Sequence, residues 1–258
     1  QAPKPEDIVG CVVHTGFRDI GSFTCSDDTF NALVAMAKRA YKSNFVDGYP
    51  TDCPHREKNG WTGDASIASE LAQYLFENTA AYEKWLRDLC DTQIASGDIC
   101  CIAPTSGWGF QWGNGPAWDS ALPVIAWTLY NYRDDRRILE VVYPALKRYL
   151  AFTATKADAN GLVKHGLGDW IPVERTHMPS TELTSSCYYY QALSIAAKMA
   201  AELDRSGEML VYASAAARTR RAINDKYYKG DGTYDNGGQT AQGCALAFGI
   251  VEPGEQAA

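Results

Sequence analysis

From Ser26 onward, apolar residues recur along this chain at helical spacing. Phe30, Leu33, Val34, Met36 and Ala37 share one face of a segment reaching about Ser43, which predicts a helix with Ser26 as N-cap and Asp27 and Asp28 at its positive end. The same period predicts helices over residues 65–77, 80–96, 118–132, 134–157, 182–203, 207–228 and 238–250, making eight in all. Pro123 should kink or shorten the helix over 118–132, and Pro144 should disturb the next, because proline removes a helical N–H and crowds the preceding turn. Upstream the pattern changes. Residues 11–24, CVVHTGFRDIGSFT, are β-branched, aromatic and broken by glycine, which predicts one or two strands. The domain reading is therefore residues 1–25 as a β-type lead-in from an upstream module and residues 26–258 as an all-α body.

Long connections over 44–63, 98–117 and 158–181 roughly alternate with short ones, as in helical hairpins stacked side by side. Such stacking sends the short turns to one end and the long loops to the other, where function concentrates. No exact repeat is visible, which argues against a tetratricopeptide-like solenoid and leaves a toroid of hairpins.

With 258 residues, 46% of them hydrophobic, the chain can bury a large core. A net charge of -7 without a Lys/Arg run argues against nucleic acid and anionic membrane as partners, and no apolar stretch approaches the roughly 20 residues of a bilayer span. The eight cysteines form no CxxC pair and are expected to be mostly free thiols. Cys53 and His55 stand two apart, but no second pair lies at ligand spacing, so neither metal nor other cofactor is expected. GxSxG, GxxxxGK[ST], HExxH and GxGxxG are absent, which removes support for serine hydrolysis, NTP use and zinc proteolysis.

The chemistry concentrates in DCPHREKNGWTGDA, residues 52–65. Asp52, Glu57 and Asp64 cannot all ionise cheaply at close range, so one should carry a raised pKa and be able to deliver a proton near neutral pH. Trp61 offers a flat apolar face for a sugar ring, while Arg56 and the aspartates offer charge-assisted hydrogen bonds to hydroxyls. Glycoside hydrolysis is the chemistry this suggests. A purely structural reading stays open: Asp64 as a helix cap, Arg56 paired with Asp52, and Trp61 as core. In GWGFQWGNGPAWDS, Trp108, Trp112 and Trp118 precede Asp119; they suit either a sugar ring or a plug over the end of the helices, with Trp118 and Asp119 the better ligand candidates. Asp169 and Trp170 repeat the pairing of acid and indole, with His165, Glu174, His177 and Glu182 nearby.

DCPHREKNGWTGD resembles the signature of the α-L-rhamnosidases, glycoside hydrolase family 78, which is close to DCPxRxExxGWxGD. The likeness continues through HTGFRDIGSFTCSDDTFNAL, AWDSA, GDW followed by LTSSCYYY, and ALAFGIV. It implies an (α/α)6 six-hairpin barrel, an inverting mechanism, and a rhamnose-containing glycoside or polysaccharide that loses terminal α-L-rhamnose. Carried over residue by residue, Glu57, four places before the Trp of GW as in the signature, looks like the general acid, Asp52, Arg56, Trp61 and Asp64 look like the pocket around the sugar, and Trp118, Asp119 and Trp170 look like further pocket positions. Lys58 and Asn59 replace the arginine common after the acid, and AWDSA lacks a glycine often found between its Trp and Asp.

The family's general base, a glutamate late in the barrel, has no match here. Eight predicted helices against twelve say the same, so the expectation is an incomplete barrel of about four of six hairpins, an internal fragment whose partner is the missing remainder of its own polypeptide. Inversion needs a second carboxylate roughly 6.5 to 9.5 Å from the first, so normal turnover is not expected of the fragment alone. Two other functions stay open: a six-hairpin glycosidase for a uronic acid, with Arg56 facing the sugar carboxylate, and a non-catalytic sugar-binding helical domain. Free thiols fit a reducing cytosol, whereas carbohydrate enzymes are often exported, and the expectation favours a periplasmic or secreted location.

Overall fold

Asp27, rather than Ser26, opens the first helix: its carboxylate accepts the Thr29 N–H at 2.8 Å, and α1 runs Asp28–Ser43. This computed structural model describes residues 3–105, 107, 109–111 and 114–252. The helices that follow are α2 (Thr62–Leu75), α3 (Thr79–Thr92), α4 (Pro116–Asp119), α5 (Ala121–Arg133), α6 (Arg136–Ala154), α7 (Thr181–Glu202), α8 (Ser206–Tyr227) and α9 (Gln239–Ala247).

Departures from the predicted boundaries have local causes. Helix α2 begins three residues before residue 65, with Trp61 at the N-cap position, so Asp64 lies within the first turn and is not the cap. Helix α3 stops at Thr92 because residues 93–97 turn back. The Gln93 amide donates to the carbonyls of Gly97 and Ala145, and Gly97 has φ +97 with its backbone against Arg148. Proline at the first position of α4 starts a separate turn that ends at Ser120, and Pro123 falls in the first turn of α5, where a helix has no partner for an N–H. Pro144 leaves α6 unbroken. It is exposed, and the carbonyl it deprives of a partner belongs to exposed Glu140, which water can satisfy.

Helices α2, α5, α7 and α9 pack in chain order, α3 lies beside α6, and α5–α6 and α7–α8 form hairpins. Their turns are short: Asp134 and Asp204 adopt φ +54 and +58, and Asp135 then caps α6 through the Arg137 N–H. The main core runs from Tyr41, Phe45 and Phe76 through Trp85, Leu122 and Tyr149 to Met199, and a smaller cluster under α7, α8 and α9 includes Leu183, Cys187 and Ile223. Arg133 closes the far end of α2 by donating to the carbonyls of Gln73 and Phe76.

Among the described residues before α1, one short strand is present, β1 (Arg18–Asp19), antiparallel to β4 (Phe76–Glu77) at the end of α2. Phe17 packs on Tyr41, Phe45 and Phe76. Gly21 passes so close to α2 that an added Cβ would lie 1.9 Å from the Tyr74 carbonyl oxygen. A second two-stranded ribbon, β2 (Phe45–Val46) with β3 (Tyr49–Pro50), leads from α1 into the loop before α2.

Candidate active site

Four connections meet at the end where α2, α4, α7 and α9 begin. Trp61 forms an antiparallel bridge with Ile102, the Thr62 N–H donates to the Cys101 carbonyl at 2.9 Å, and the Ala103 N–H donates to the Gly60 carbonyl at 2.8 Å. Gly60 is required by that approach, since a Cβ there would lie 1.9 Å from the Ala103 oxygen. The Thr62 hydroxyl donates to the Trp118 carbonyl at 2.9 Å, and Gly63 lets the Trp118 indole lie against α2. Gly115 and Gly166, with φ +121 and +102, press the segment before α4 onto the segment before α7.

The acidic loop is closed at its base by two bonds: the Asp52 N–H donates to the Asn59 carbonyl at 2.9 Å and the Asn59 N–H to Asp52 Oδ1 at 3.0 Å. Within it, Glu57 is held at three points. Its N–H donates to Cys53 Sγ at 3.2 Å, Oε2 accepts the Trp61 indole N–H at 2.9 Å, and Oε1 accepts from Arg56 Nη2 at 3.3 Å. The Arg56 side chain is 74% exposed, so its ion pair with Glu57 is solvent-screened.

A cavity of about 390 Å³ gathers Asp52, Arg56, Glu57, Trp61, Asp64, Trp118 and Trp170, together with Cys53, Leu167 and Ile171. A second, of about 450 Å³, shares Asp64, Trp118, Trp170 and Ile171 and continues over Asp169, Thr184, Tyr188, Thr240 and Phe248. Burial pushes the Asp64 carboxyl above its ordinary value, and the charges of Asp52 and Glu57 push it further in that direction. The raised acid expected among the three is thus found at Asp64. Among the described residues that line it, a larger groove of about 640 Å³ between α5, α7, α8 and α9 has no carboxylate.

Asp119, expected in the pocket, lines neither cavity. It is 1% exposed, and its Oδ2 accepts the Gly115 N–H at 2.9 Å. Burial first, and the Asp98 charge second, push its carboxyl well up. It faces inward because α4 is a single turn whose two neighbouring residues point to opposite sides: Trp118 to the cavity, Asp119 to the interior. Asp169 accepts from the Thr240 hydroxyl at 2.7 Å. The other members of its segment lie elsewhere. Glu174 pairs with exposed His177 at 2.8 Å, Glu182 in the first turn of α7 pairs with Lys226 and accepts from the Tyr227 hydroxyl, and burial lowers the pKa of His165. Trp108 and Trp112 lie outside the described residues. Leu167 and Ile171 carry no chemical signal in the sequence, and Cys53 stands out there only as a possible metal ligand beside His55, not as a lining residue of this cavity. Among the described residues, no group of three His, Cys, Asp or Glu side chains is placed to hold a metal ion, and all eight cysteines are free thiols.

Stacked helical hairpins whose long connections gather acids and indoles at one end define the class as six-hairpin glycosidases. The model of the bacterial alpha-L-rhamnosidase 6 hairpin glycosidase domain matches residues 18–258, and the chain belongs to that family. Similar curated proteins include an alpha-L-rhamnosidase of Formosa agariphila, 29% identical over 96% of this chain and 28% of its own length, and one of Alteromonas sp. (strain LOR), 26% identical over 99% of this chain and 29% of its own. Among solved structures, the alpha-L-rhamnosidase from Dictyoglumus thermophilum superposes with a TM-score of 0.89 at 32% identity, covering 98% of this chain and 29% of that one. The Streptomyces avermitilis alpha-L-rhamnosidase complexed with L-rhamnose gives 0.87 at 27% identity, covering 94% and 23%. The chain therefore spans under a third of the length of these relatives.

Proposed function

We propose that the polypeptide carrying this chain hydrolyses terminal α-L-rhamnosyl bonds of glycosides or polysaccharides with inversion, and that Glu57 is its general acid. The observation that carries this reading is the Glu57 carboxylate itself, held by Trp61 and Arg56 inside a cavity whose other walls are Asp52, Asp64, Trp118 and Trp170. Indole faces suit the C–H face of a deoxy sugar, and the carboxylates and Arg56 suit its hydroxyls. The names of the relatives support rhamnose as the sugar.

In this mechanism Glu57 protonates the glycosidic oxygen as the bond to the anomeric carbon breaks, while water attacks the opposite face of the ring. The reading includes a second, water-activating glutamate outside the two cavities' described lining, as the resemblance implies. Glu174 and Glu182, the other acids of the segment that carries Asp169, line neither cavity.

The test is NMR of the complete polypeptide acting on an aryl α-L-rhamnoside. The reading predicts β-L-rhamnose as the first-formed anomer. α-L-Rhamnose first would contradict inversion, and cleavage of an aryl uronide without rhamnoside cleavage would contradict the substrate.

A further inference from the structure

We infer that Cys53 is a positioning residue for Glu57, its sulfur setting the backbone turn from which the acid reaches the glycosidic oxygen; this rests on the reading of Glu57 as proton donor. The loop's closing bonds join Asp52 to Asn59, so they fix its ends and leave the residues between to be held by something else. Across that interval the Glu57 N–H donates to Cys53 Sγ at 3.2 Å. Among the described residues no backbone carbonyl takes that N–H. A side-chain acceptor therefore occupies the place that a carbonyl four residues back fills in an ordinary helical turn. On the other side of Glu57, Lys58 has φ +56, a reversal that a non-glycine residue adopts only when its surroundings hold it there.

The thiol also lines the cavity with Glu57, Trp61 and Asp64. The carboxylate is anchored at its tip by the Trp61 indole, and the sulfur anchors its root. With both ends tied, the direction of the side chain is determined. With only the tip tied, the backbone can swing and carry the carboxylate off the line to the leaving oxygen, and proton transfer is sensitive to displacements of that size.

A loss confined to proton delivery has a signature that general destabilisation lacks: it grows as the leaving group worsens. A dinitrophenolate departs without protonation, whereas an alkoxide requires it. The experiment compares Cys53→Ala, Cys53→Ser and Glu57→Gln in the complete polypeptide on an alkyl and on a dinitrophenyl α-L-rhamnoside, and the readout is the ratio of the two kcat losses. Cys53→Ala is expected to lose about tenfold in kcat on the alkyl substrate and several-fold less on the dinitrophenyl one, with KM moving little. Cys53→Ser keeps an acceptor on a shorter bond and should restore most of the loss. Equal losses on both substrates, or none, overturn the inference, as does a Ser variant no better than Ala. Glu57→Gln separates the two levels. If it shows the leaving-group dependence and Cys53→Ala does not, only the role of Cys53 fails; if Glu57→Gln shows none, the reading of Glu57 as the acid fails and this inference with it.

Discussion

The Trp61 indole N–H donates to Glu57 Oε2 at 2.9 Å, so a residue that walls the cavity also fixes the carboxylate within it. Trp61 is in turn placed by its bridge to Ile102, from a loop about forty residues along the chain. The direction of Glu57 thus depends on how two distant connections pack.

Replacing Trp61 by Phe separates wall from anchor. Phenylalanine keeps an aromatic face and removes the donor, so kcat on an alkyl rhamnoside should fall about tenfold while rhamnose affinity weakens far less. Steady-state kinetics with calorimetric titration of rhamnose reads both, and a loss in affinity alone would show that the indole only stacks.

Asp119 should behave as a buried acid that prefers to keep its proton. Its folded pKa lies above the ordinary 3.8 because burial disfavours the charge. The folded state therefore binds the proton more tightly, so the stability contribution is greatest below the unfolded pKa and falls as pH rises through the raised value. Asp119→Asn, which keeps an oxygen for the Gly115 N–H, should match wild type near pH 4 and unfold at higher temperature than wild type near pH 7. Asp119→Ala leaves that N–H unmet and should cost about 1–3 kcal/mol. Identical pH dependence of the melting temperature in wild type and the Asn variant would contradict the assignment.

Asp64 offers the same sign in a less buried place. Its carboxyl is raised by burial first and by Asp52 and Glu57 after it, so Asp64→Asn should flatten the decline of stability above the carboxylate range. A denaturant midpoint that falls with pH more steeply in the variant than in wild type would contradict this.

Two glycines should respond differently to alanine. At Gly60 the new Cβ would lie 1.9 Å from the Ala103 oxygen, a backbone atom that cannot yield, so Gly60→Ala should cost more than about 2 kcal/mol and disturb the start of α2. At Gly48, φ is +81 with open space around the Cβ, so only left-handed strain of about 1–2 kcal/mol applies. Chemical unfolding of the two variants ranks them, and equal costs would mean the Gly60 approach relaxes easily.

The helical body was legible because each long helix repeats its apolar face over several turns, as Leu139, Val142, Leu146 and Leu150 do in α6. The single turn of α4 was not, since four residues carry no period, although Pro116 in front of Ala117 and Trp118 is a start signal of the right kind. In the site, Asp52, Arg56, Glu57, Trp61 and Asp64 were readable as a crowd because they are close in sequence. That Trp118 turns to the cavity and Asp119 away from it is decided by packing between α4, α7 and the 98–115 connection. No local pattern records such packing. Leu167 and Ile171 escaped notice for a related reason: an apolar side chain signals a site only when the neighbours that leave it facing a cavity are known, and Cys53 stood out only as a possible metal ligand beside His55.

On the mechanism proposed, Glu57 delivers the proton to the departing oxygen. The most direct measurement is kcat of Glu57→Gln in the complete polypeptide on an alkyl α-L-rhamnoside, where the leaving oxygen depends on protonation. The expected loss is about 10²- to 10⁴-fold, with rhamnose still bound in the cavity of Trp61, Trp118 and Trp170. A variant that turns over at nearly the wild-type rate would contradict it.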